Sequence, residues 1–325
     1  MRILLVKTSS LGDVVHNLPV ASDLAAAFPE AEIDWVVEEN YAAIVRLHPR
    51  IRQVLPVALR RWRKTLTRAV TWRELGEFRR RLRATEYDLV IDTQGLLKSA
   101  LIAAQARGLR CGYAAASARE PLAAHFYQHR FEMPRNLHAV TRNRQLVALA
   151  AGYSLPAALD YGLTIPDTAR APQKLGVGDT AILLTNTSRA DKRWPAEHWL
   201  AVGRHLSTRG IACLLPAGNA AEGAAAQALA ATIPHARVLE DTPLEALARE
   251  ITHARLVIGV DTGLVHLAAA LGRPTLALFA ASDPELTGVL AGSLAINLGR
   301  REAPPTVAEV LDRAEPWLDE KESPA

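Results

Sequence analysis

The chain has 325 residues, more than one hydrophobic core usually organises, so we expect two domains of roughly 100 to 200 residues each. Apolar residues make up 49% of the chain and charged residues 22%, a balance that excludes an intrinsically disordered protein. No stretch of about 20 uncharged apolar residues is present, which excludes a typical membrane-spanning helix and predicts a cytoplasmic protein. Cys111 and Cys213 lie far apart in apolar surroundings, so buried free thiols are expected.

The net charge of +4 is unevenly distributed along the chain. Residues 59–83 hold ten Arg or Lys and two Glu, a local net charge of +8, so the rest of the chain sums to −4. A basic segment of this kind favours a polyanionic partner. The candidates are a phosphorylated lipid headgroup, a membrane surface and nucleic acid.

Short apolar runs alternate with helical patterns, which predicts β-α-β units and parallel sheets. In the first half, five strands and three helices are expected. The strands are residues 2–6, 32–37, 53–56, 87–91 and 109–112, and the helices are residues 18–27, 75–84 and 97–106.

A stretch rich in Pro and Gly then predicts a linker at residues 161–178, between a domain at 1–160 and a domain at 179–325. We also consider a C-terminal helix that packs back on the first domain. The second half repeats the alternation. Its expected strands are residues 181–185, 211–215, 238–239, 256–260 and 275–279, and its expected helices are residues 197–207, 221–231, 244–252 and 264–271. The fold class is therefore α/β, with two doubly wound Rossmann-like domains that face each other across a cleft.

The first strand leads into the segment KTSSLGD, where Ser10 can cap a helix and Asp13 follows three residues later. Ser and an acid at that spacing form a capping box, which needs no further function. The turn also lies at the carboxyl end of a strand, where doubly wound domains bind ligands, and Gly12 lets a substrate approach the carboxylate. The residues alone leave both interpretations of Asp13 open.

A second candidate site lies at residues 257–274, where an apolar strand ends at Asp261 and Thr262 can cap the next helix. The N–H groups of Gly263 and Leu264 would then point out of the helix N-terminus, where a phosphate fits. His266 lies one turn further and can donate to the same phosphate or be a half-buried helix residue. The segment predicts a phosphate-binding site.

Two other strand ends carry polar residues. Lys192 is the candidate counter-ion for a diphosphate leaving group. Glu222 can accept hydrogen bonds from ribose hydroxyls or be a solvated acid in the first turn of a helix. Because the sequence contains no Asp-x-Asp and His125 and His129 lack an evident third ligand, we expect no metal and no other cofactor.

With these motifs the chain resembles the lipopolysaccharide heptosyltransferase I family of GT-B glycosyltransferases along nearly its whole length. KTSSLGD, RRWRK and AREPLA point to the first heptosyltransferase rather than the second. The matching segments are KTSSLGD at 7–13, DWVVEE at 34–39, RRWRK at 60–64, DTQGLLKSA at 92–100, AREPLA at 118–123, DKRWPAEHW at 191–199 and DTGLVHLAAAL at 261–271.

The resemblance implies transfer of L-glycero-D-manno-heptose from ADP-heptose, a substrate and not a cofactor, to Kdo on Kdo-lipid A, with inversion at the anomeric carbon. Asp13 is then the general base. The implied donor-binding residues are Thr187, Ser188, Lys192, Glu222, Asp261, Thr262, Gly263 and His266. The implied acceptor-binding residues are Arg60, Arg61, Arg63, Lys64, Lys98 and Arg119. We expect a monomer at the inner face of the inner membrane.

Alternative functions remain. Another heptosyltransferase of core synthesis, of the heptosyltransferase II type, would share the DTG element, and a nucleotide-sugar 2-epimerase would share the two-domain architecture without needing RRWRK. A nucleic-acid-binding module is disfavoured because only Trp62 and Trp72 in the basic segment could stack on bases. We therefore expect no nucleic-acid partner.

Overall fold

The computed structural model describes residues 1–166, 180–187 and 189–319. The chain divides into two units, Met1–Thr164 and Ile165–Ala325. Their boundary lies inside the linker predicted at residues 161–178, most of which falls outside the described residues.

The first unit is built on a parallel sheet with the strand order β3-β2-β1-β4-β5-β6. The strands are β1 (Arg2–Val6), β2 (Glu32–Glu38), β3 (Ile51–Val57), β4 (Glu86–Asp92), β5 (Arg107–Tyr113) and β6 (His129–Phe131). The helices are α1 (Leu11–Val15), α2 (Leu18–Ala27), α3 (Ala42–Arg46), α4 (Leu59–Trp62), α5 (Ala69–Ala84), α6 (Leu97–Ala103) and α7 (Ala139–Ala151), with 3-10 turns at Glu39–Tyr41 and Pro121–Phe126.

The second unit repeats this plan with the strand order β12-β11-β10-β7-β8-β9, again all parallel. The strands are β7 (Thr180–Leu184), β8 (Ala212–Ala217), β9 (Arg237–Glu240), β10 (Leu256–Val260), β11 (Thr275–Phe279) and β12 (Ala295–Gly299). The helices are α8 (Ala196–Thr208), α9 (Ala220–Ala230), α10 (Leu244–His253), α11 (Gly263–Ala270), α12 (Pro284–Thr287) and α13 (Val307–Asp319), with a 3-10 turn at Ala190–Lys192. Helix α13 packs against α8 and β11.

The central strands are continuous apolar runs because helices cover both faces of each sheet. Every residue of β7, β10 and β11 is buried, as are Ile3 to Val6 of β1. In β10 the close packing requires Gly259, since a Cβ there would lie 2.8 Å from the Cβ of Leu184 on β7. The two sheets therefore confirm the expected α/β, doubly wound class.

Most differences from the expected elements lie at sheet edges and exposed helix ends. β6 and β12 were not expected, because β6 is a three-residue edge strand of partly polar residues and β12 is a half-buried edge strand. Helix α7 was also missed. Helix α5 begins at Ala69 and not at residue 75, because its first turn is mostly exposed and shows little apolar periodicity.

Both cysteines are free and buried, as predicted. Among the described residues, no helix combines the length and the apolar character that crossing a membrane requires.

Candidate active site

In each sheet the strand order reverses at one point, and doubly wound proteins bind ligands outside the carboxyl ends of the strands that flank it. In the first unit this point lies between β1 and β4, and in the second between β7 and β10. Asp13 follows β1 and Lys98 follows β4, while Lys192 follows β7 and Asp261 follows β10. Four of the predicted site residues therefore lie where the topology places ligands.

Asp13 is both a helix cap and a solvent-accessible carboxylate. Its Oδ2 accepts hydrogen bonds from the backbone N–H of Ser10 at 2.9 Å and from the Ser10 hydroxyl at 3.1 Å, which closes the predicted capping box. The side chain is still 29% exposed, and Arg119 Nη1 lies 3.7 Å from the same oxygen. The capping interactions fix the orientation of the carboxylate and leave it open to a substrate.

The loop that carries Asp13 is held from β4 by Gln94, a buried residue that the sequence interpretation did not single out. Gln94 Oε1 accepts from Thr8 N and Thr8 Oγ1, both at 2.7 Å, and Gln94 Nε2 donates to the carbonyl of Ser9 at 3.1 Å. Its own backbone N–H donates to Asp92 Oδ1 at 2.8 Å. The only signal in the sequence was the position of Gln94 at a strand end.

Asp92 supports this arrangement from inside the first unit. Its Oδ2 accepts from the Tyr127 hydroxyl at 2.7 Å, and burial raises the pKa of the Asp92 carboxyl against the opposing effect of that hydrogen bond. Gly112 makes room for the ring, since a Cβ there would lie 2.4 Å from Tyr127 Cε2. Gln94, which holds the Asp13 loop, is thus held in turn by Asp92, whose partner Tyr127 packs against β5.

Two lysines lie beside this loop. Lys98 Nζ donates to Ser9 Oγ at 2.7 Å, and burial lowers the pKa of Lys98 while Glu38 opposes the shift. Lys7 is buried at the end of β1, where its Nζ donates to the carbonyl of Thr93 at 2.9 Å, and burial lowers its pKa also. Arg119, whose guanidinium is always charged, makes the surroundings of Asp13 cationic, which suits an anionic ligand.

The RRWRK cluster does not act as one uniform basic patch. Arg61 is bound to Glu39 at 3.0 Å and to Glu74 at 2.7 Å, and Trp62 is a buried core residue whose Nε1 donates to Glu74 at 2.6 Å. Arg60 lies over the ring of Tyr41, 5.7 Å from its centroid. The side chains of Arg63 and Lys64 are exposed and make no ion pair within the described part of the chain, so they are the members most available to an anionic ligand.

In the second unit, Asp261 is the centre of the candidate site. Lys192 Nζ lies 2.5 Å from its Oδ2, the Ser282 hydroxyl donates to the same oxygen at 2.5 Å, and His266 Nε2 lies 3.4 Å from Oδ1. Asp261 is only 10% exposed and Lys192 only 18%. Ser282, in the loop after β11, was not singled out from the sequence.

These contacts keep Asp261 ionised. Burial alone would raise the pKa of its carboxyl, but hydrogen bonds from His266, Lys192 and Ser282 outweigh burial and hold the pKa well below its usual range. The carboxylate therefore stays an ionised hydrogen-bond acceptor throughout the physiological pH range.

Thr262 caps α11 as predicted, because its side chain accepts from Leu264 N at 3.1 Å. Gly263 is the first residue of that helix. Thr187 is half-buried after β7, and Ser188 lies outside the described residues.

Glu222 lies in the first turn of α9. Its Oε2 accepts from the backbone N–H of Gly218 at 2.9 Å, an interaction that orders the loop between β8 and α9. Across the described ranges, no group of three or more His, Cys, Asp or Glu is arranged to hold a metal ion, and this includes the region of His125 and His129.

Two doubly wound domains in tandem, each built on a parallel six-stranded sheet, are the architecture of the GT-B glycosyltransferases. The model of glycosyltransferase family 9 (heptosyltransferase) matches residues 75–317. Lipopolysaccharide heptosyltransferase 1 of Pseudomonas aeruginosa is 44% identical over 92% of this chain and 84% of its own length. The chain belongs to glycosyltransferase family 9, the heptosyltransferases.

Solved structures agree with this assignment. The structure of the Escherichia coli heptosyltransferase WaaC with ADP is 39% identical, covers 98% of this chain and 100% of its own, and has a TM-score of 0.88. The same enzyme with ADP-2-deoxy-2-fluoro heptose is 38% identical, covers 97% of this chain and 99% of its own, and has a TM-score of 0.85. These similarities confirm the expected GT-B fold and the expected heptosyltransferase family.

Proposed function

We propose that the protein transfers L-glycero-D-manno-heptose from ADP-heptose to a hydroxyl of Kdo on Kdo-lipid A, with inversion at the anomeric carbon. The product would carry the first heptose of the lipopolysaccharide inner core. The observation that carries this proposal is the ionised Asp261, held by Lys192 and Ser282 at the switch point of the second unit.

The donor's parts match the groups around Asp261. A diphosphate needs cations and N–H donors, which Lys192 and the N-terminus of α11 can supply. Heptose hydroxyls need an acceptor, which Asp261 supplies. The related E. coli enzyme was solved with an ADP-heptose analogue. Thr187 and Ser188 would add hydroxyl donors to the diphosphate, and Glu222 would accept from the ribose.

The chemistry is one displacement. Asp13 takes the proton of the Kdo hydroxyl, whose oxygen then forms a bond to the anomeric carbon of heptose as the bond from that carbon to the diphosphate oxygen breaks. Attack opposite the leaving group inverts the configuration. ADP leaves with the electron pair of the broken bond, and Lys192 stabilises its added negative charge.

On the acceptor side, Lys98 and Arg119 lie beside the Asp13 loop, where they can bind the carboxylate of a Kdo sugar. Arg63 and Lys64 are available to the phosphates of lipid A, together with Arg60. Arg61 would first have to leave Glu39 and Glu74. The enzyme would act as a monomer at the inner face of the inner membrane.

One assay tests the proposal. The pure protein is incubated with ADP-heptose and Kdo-lipid A, and the product is analysed by mass and by the configuration of the new glycosidic bond. We expect an added mass of one heptosyl residue and an inverted anomeric centre. Transfer to an already heptosylated acceptor in preference to Kdo-lipid A would favour the heptosyltransferase II alternative, and epimerisation of a nucleotide sugar without an acceptor would favour the epimerase.

A further inference from the structure

Three apolar side chains are exposed within the basic segment of the first unit. Trp72 is 62% exposed, Leu66 is 50% exposed and Val70 is 39% exposed. Trp72 Nε1 donates to the carbonyl of Leu66 at 2.9 Å, so the indole lies against the turn that precedes α5. Exposed tryptophan next to exposed aliphatic residues is uncommon on a surface that faces only water.

Acidic and basic side chains are unevenly distributed around the axis of α5. At 3.6 residues per turn, the buried Phe78 and Leu82 define the inner face of the helix. Both acids of the helix, Glu74 and Glu77, lie on one flank, where Glu74 pairs with Arg61 and Glu77 pairs with Arg81.

The other flank of α5 has no acid. Trp72, Arg79 and Arg83 fall there on one stripe, spaced by seven and four residues. Arg68, at the N-cap of α5, adds a further exposed cation at the tryptophan end. Within the described ranges, no carboxylate lies within 4 Å of these three arginines. We call the surface formed by Leu66, Arg68, Trp72, Arg79 and Arg83 the Trp72 face.

We propose that the Trp72 face docks on the surface of a lipid bilayer that carries anionic phospholipid headgroups, with Leu66 and Trp72 inserted at headgroup level. Tryptophan suits this depth because its ring is apolar and its N–H is polar. Arginines without acidic partners then meet lipid phosphates, which is the charge complementarity that peripheral membrane binding uses. The inference rests on the proposed function, because an enzyme that acts on a lipid-linked acceptor has to reach that acceptor at the membrane surface.

The same surface fits nucleic acid less well. Binding of single strands without sequence preference uses several aromatic rings on which successive bases stack. The Trp72 face offers one ring, and Leu66 gives a base nothing to stack on.

The test is a flotation assay of the full-length protein with two kinds of vesicle, phosphatidylcholine alone and phosphatidylcholine with one quarter phosphatidylglycerol. We expect binding to the anionic vesicles that weakens as salt is added. Trp72→Ala should weaken this binding about tenfold, from the apolar area withdrawn from water. Arg79→Ser with Arg83→Ser should weaken it about 25-fold, since each surface cation contributes about fivefold.

Leu149 on α7 provides the matched control, because it is 56% exposed and lies outside the basic segment. Leu149→Ala should bind anionic vesicles within about twofold of the unchanged protein. Trp72→Phe keeps an apolar ring and should retain most of the binding. Thermal unfolding of every variant shows that a loss of binding does not come from a loss of folding.

Equal vesicle binding by Trp72→Ala and the unchanged protein would overturn the proposal, as would tighter binding to a labelled oligonucleotide than to anionic vesicles. Transfer from ADP-heptose to a Kdo acceptor freed of its acyl chains is measured separately on the unchanged protein. Vesicle binding that depends on Trp72 without any transfer would contradict the proposed function alone. Transfer with no dependence of vesicle binding on Trp72 would contradict the docking face alone.

Discussion

Asp13 has a capping role that the structure shows and a catalytic role that we propose, and two substitutions separate them. Asp13→Asn keeps an oxygen that can accept from Ser10 N at 2.9 Å, whereas Asp13→Ala removes that acceptor. Loss of the charge at the N-terminus of α1 and beside the exposed Arg119 should cost Asp13→Asn about 0.5–1 kcal/mol in free energy of unfolding. Asp13→Ala also loses the capping hydrogen bonds, so we expect about 1–2 kcal/mol.

Neither variant can take a proton from the acceptor hydroxyl. Both should therefore lose about 100-fold to 10,000-fold in kcat, equivalent to about 2.7–5.5 kcal/mol in the activation barrier. Urea unfolding measures stability, calorimetric titration measures ADP-heptose affinity, and product mass measures turnover. Affinity for the donor should stay within about threefold, and the exposed acid Glu30 provides a control as Glu30→Gln. Turnover by Asp13→Asn within about threefold of the unchanged protein would leave Asp13 a helix cap and nothing more.

Three more outcomes are expected. Lys192→Ala should weaken ADP-heptose binding at least about tenfold and lower kcat, because a cation that neutralises the diphosphate is lost. An unchanged ADP-heptose affinity in calorimetric titration, together with an unchanged kcat, would show that Lys192 does not bind the donor. The folded-state pKa of Asp261 lies below the value of about 3.9 in the unfolded chain, so its stabilising contribution is present above about pH 4 and is lost as the pH falls further. The Tm of the unchanged protein should thus fall more steeply between about pH 5 and pH 3 than the Tm of Asp261→Asn. An equal dependence of Tm on pH in the two proteins would contradict the stabilising hydrogen bonds to the Asp261 carboxylate. Turnover should persist in excess EDTA. If EDTA abolished turnover and a divalent cation restored it, the reaction would require a metal ion.

The central strands could be predicted from the sequence because they are buried on both faces. β1, β10 and β11 have the expected bounds, since Ile3 to Val6 of β1 and every residue of β10 and β11 are buried and form runs that solvent-facing residues do not interrupt. Edge strands such as β6 and β12 lack that signal. Their pairing depends on what the rest of the chain places beside them.

Site residues were predictable where a local rule applied. Thr262 was expected to cap α11 and does so, and Asp13 was expected to close a capping box and does so. Their interactions involve residues within three positions along the chain. Gln94 is more than 80 positions away from Thr8 and Ser9 in the sequence, so no local pattern predicts their hydrogen bonds.

Lys192 and Asp261 were both expected to bind the donor, but nothing in the sequence indicated that they bind each other across 69 positions. That contact exists because the crossover connections place β7 beside β10, so that the loops after the two strands meet. Ser282 joins them from the next strand in the sheet. Caps and buried strands follow from neighbouring residues, whereas partners around a buried charge depend on the order of strands, which is decided by the packing of the whole sheet.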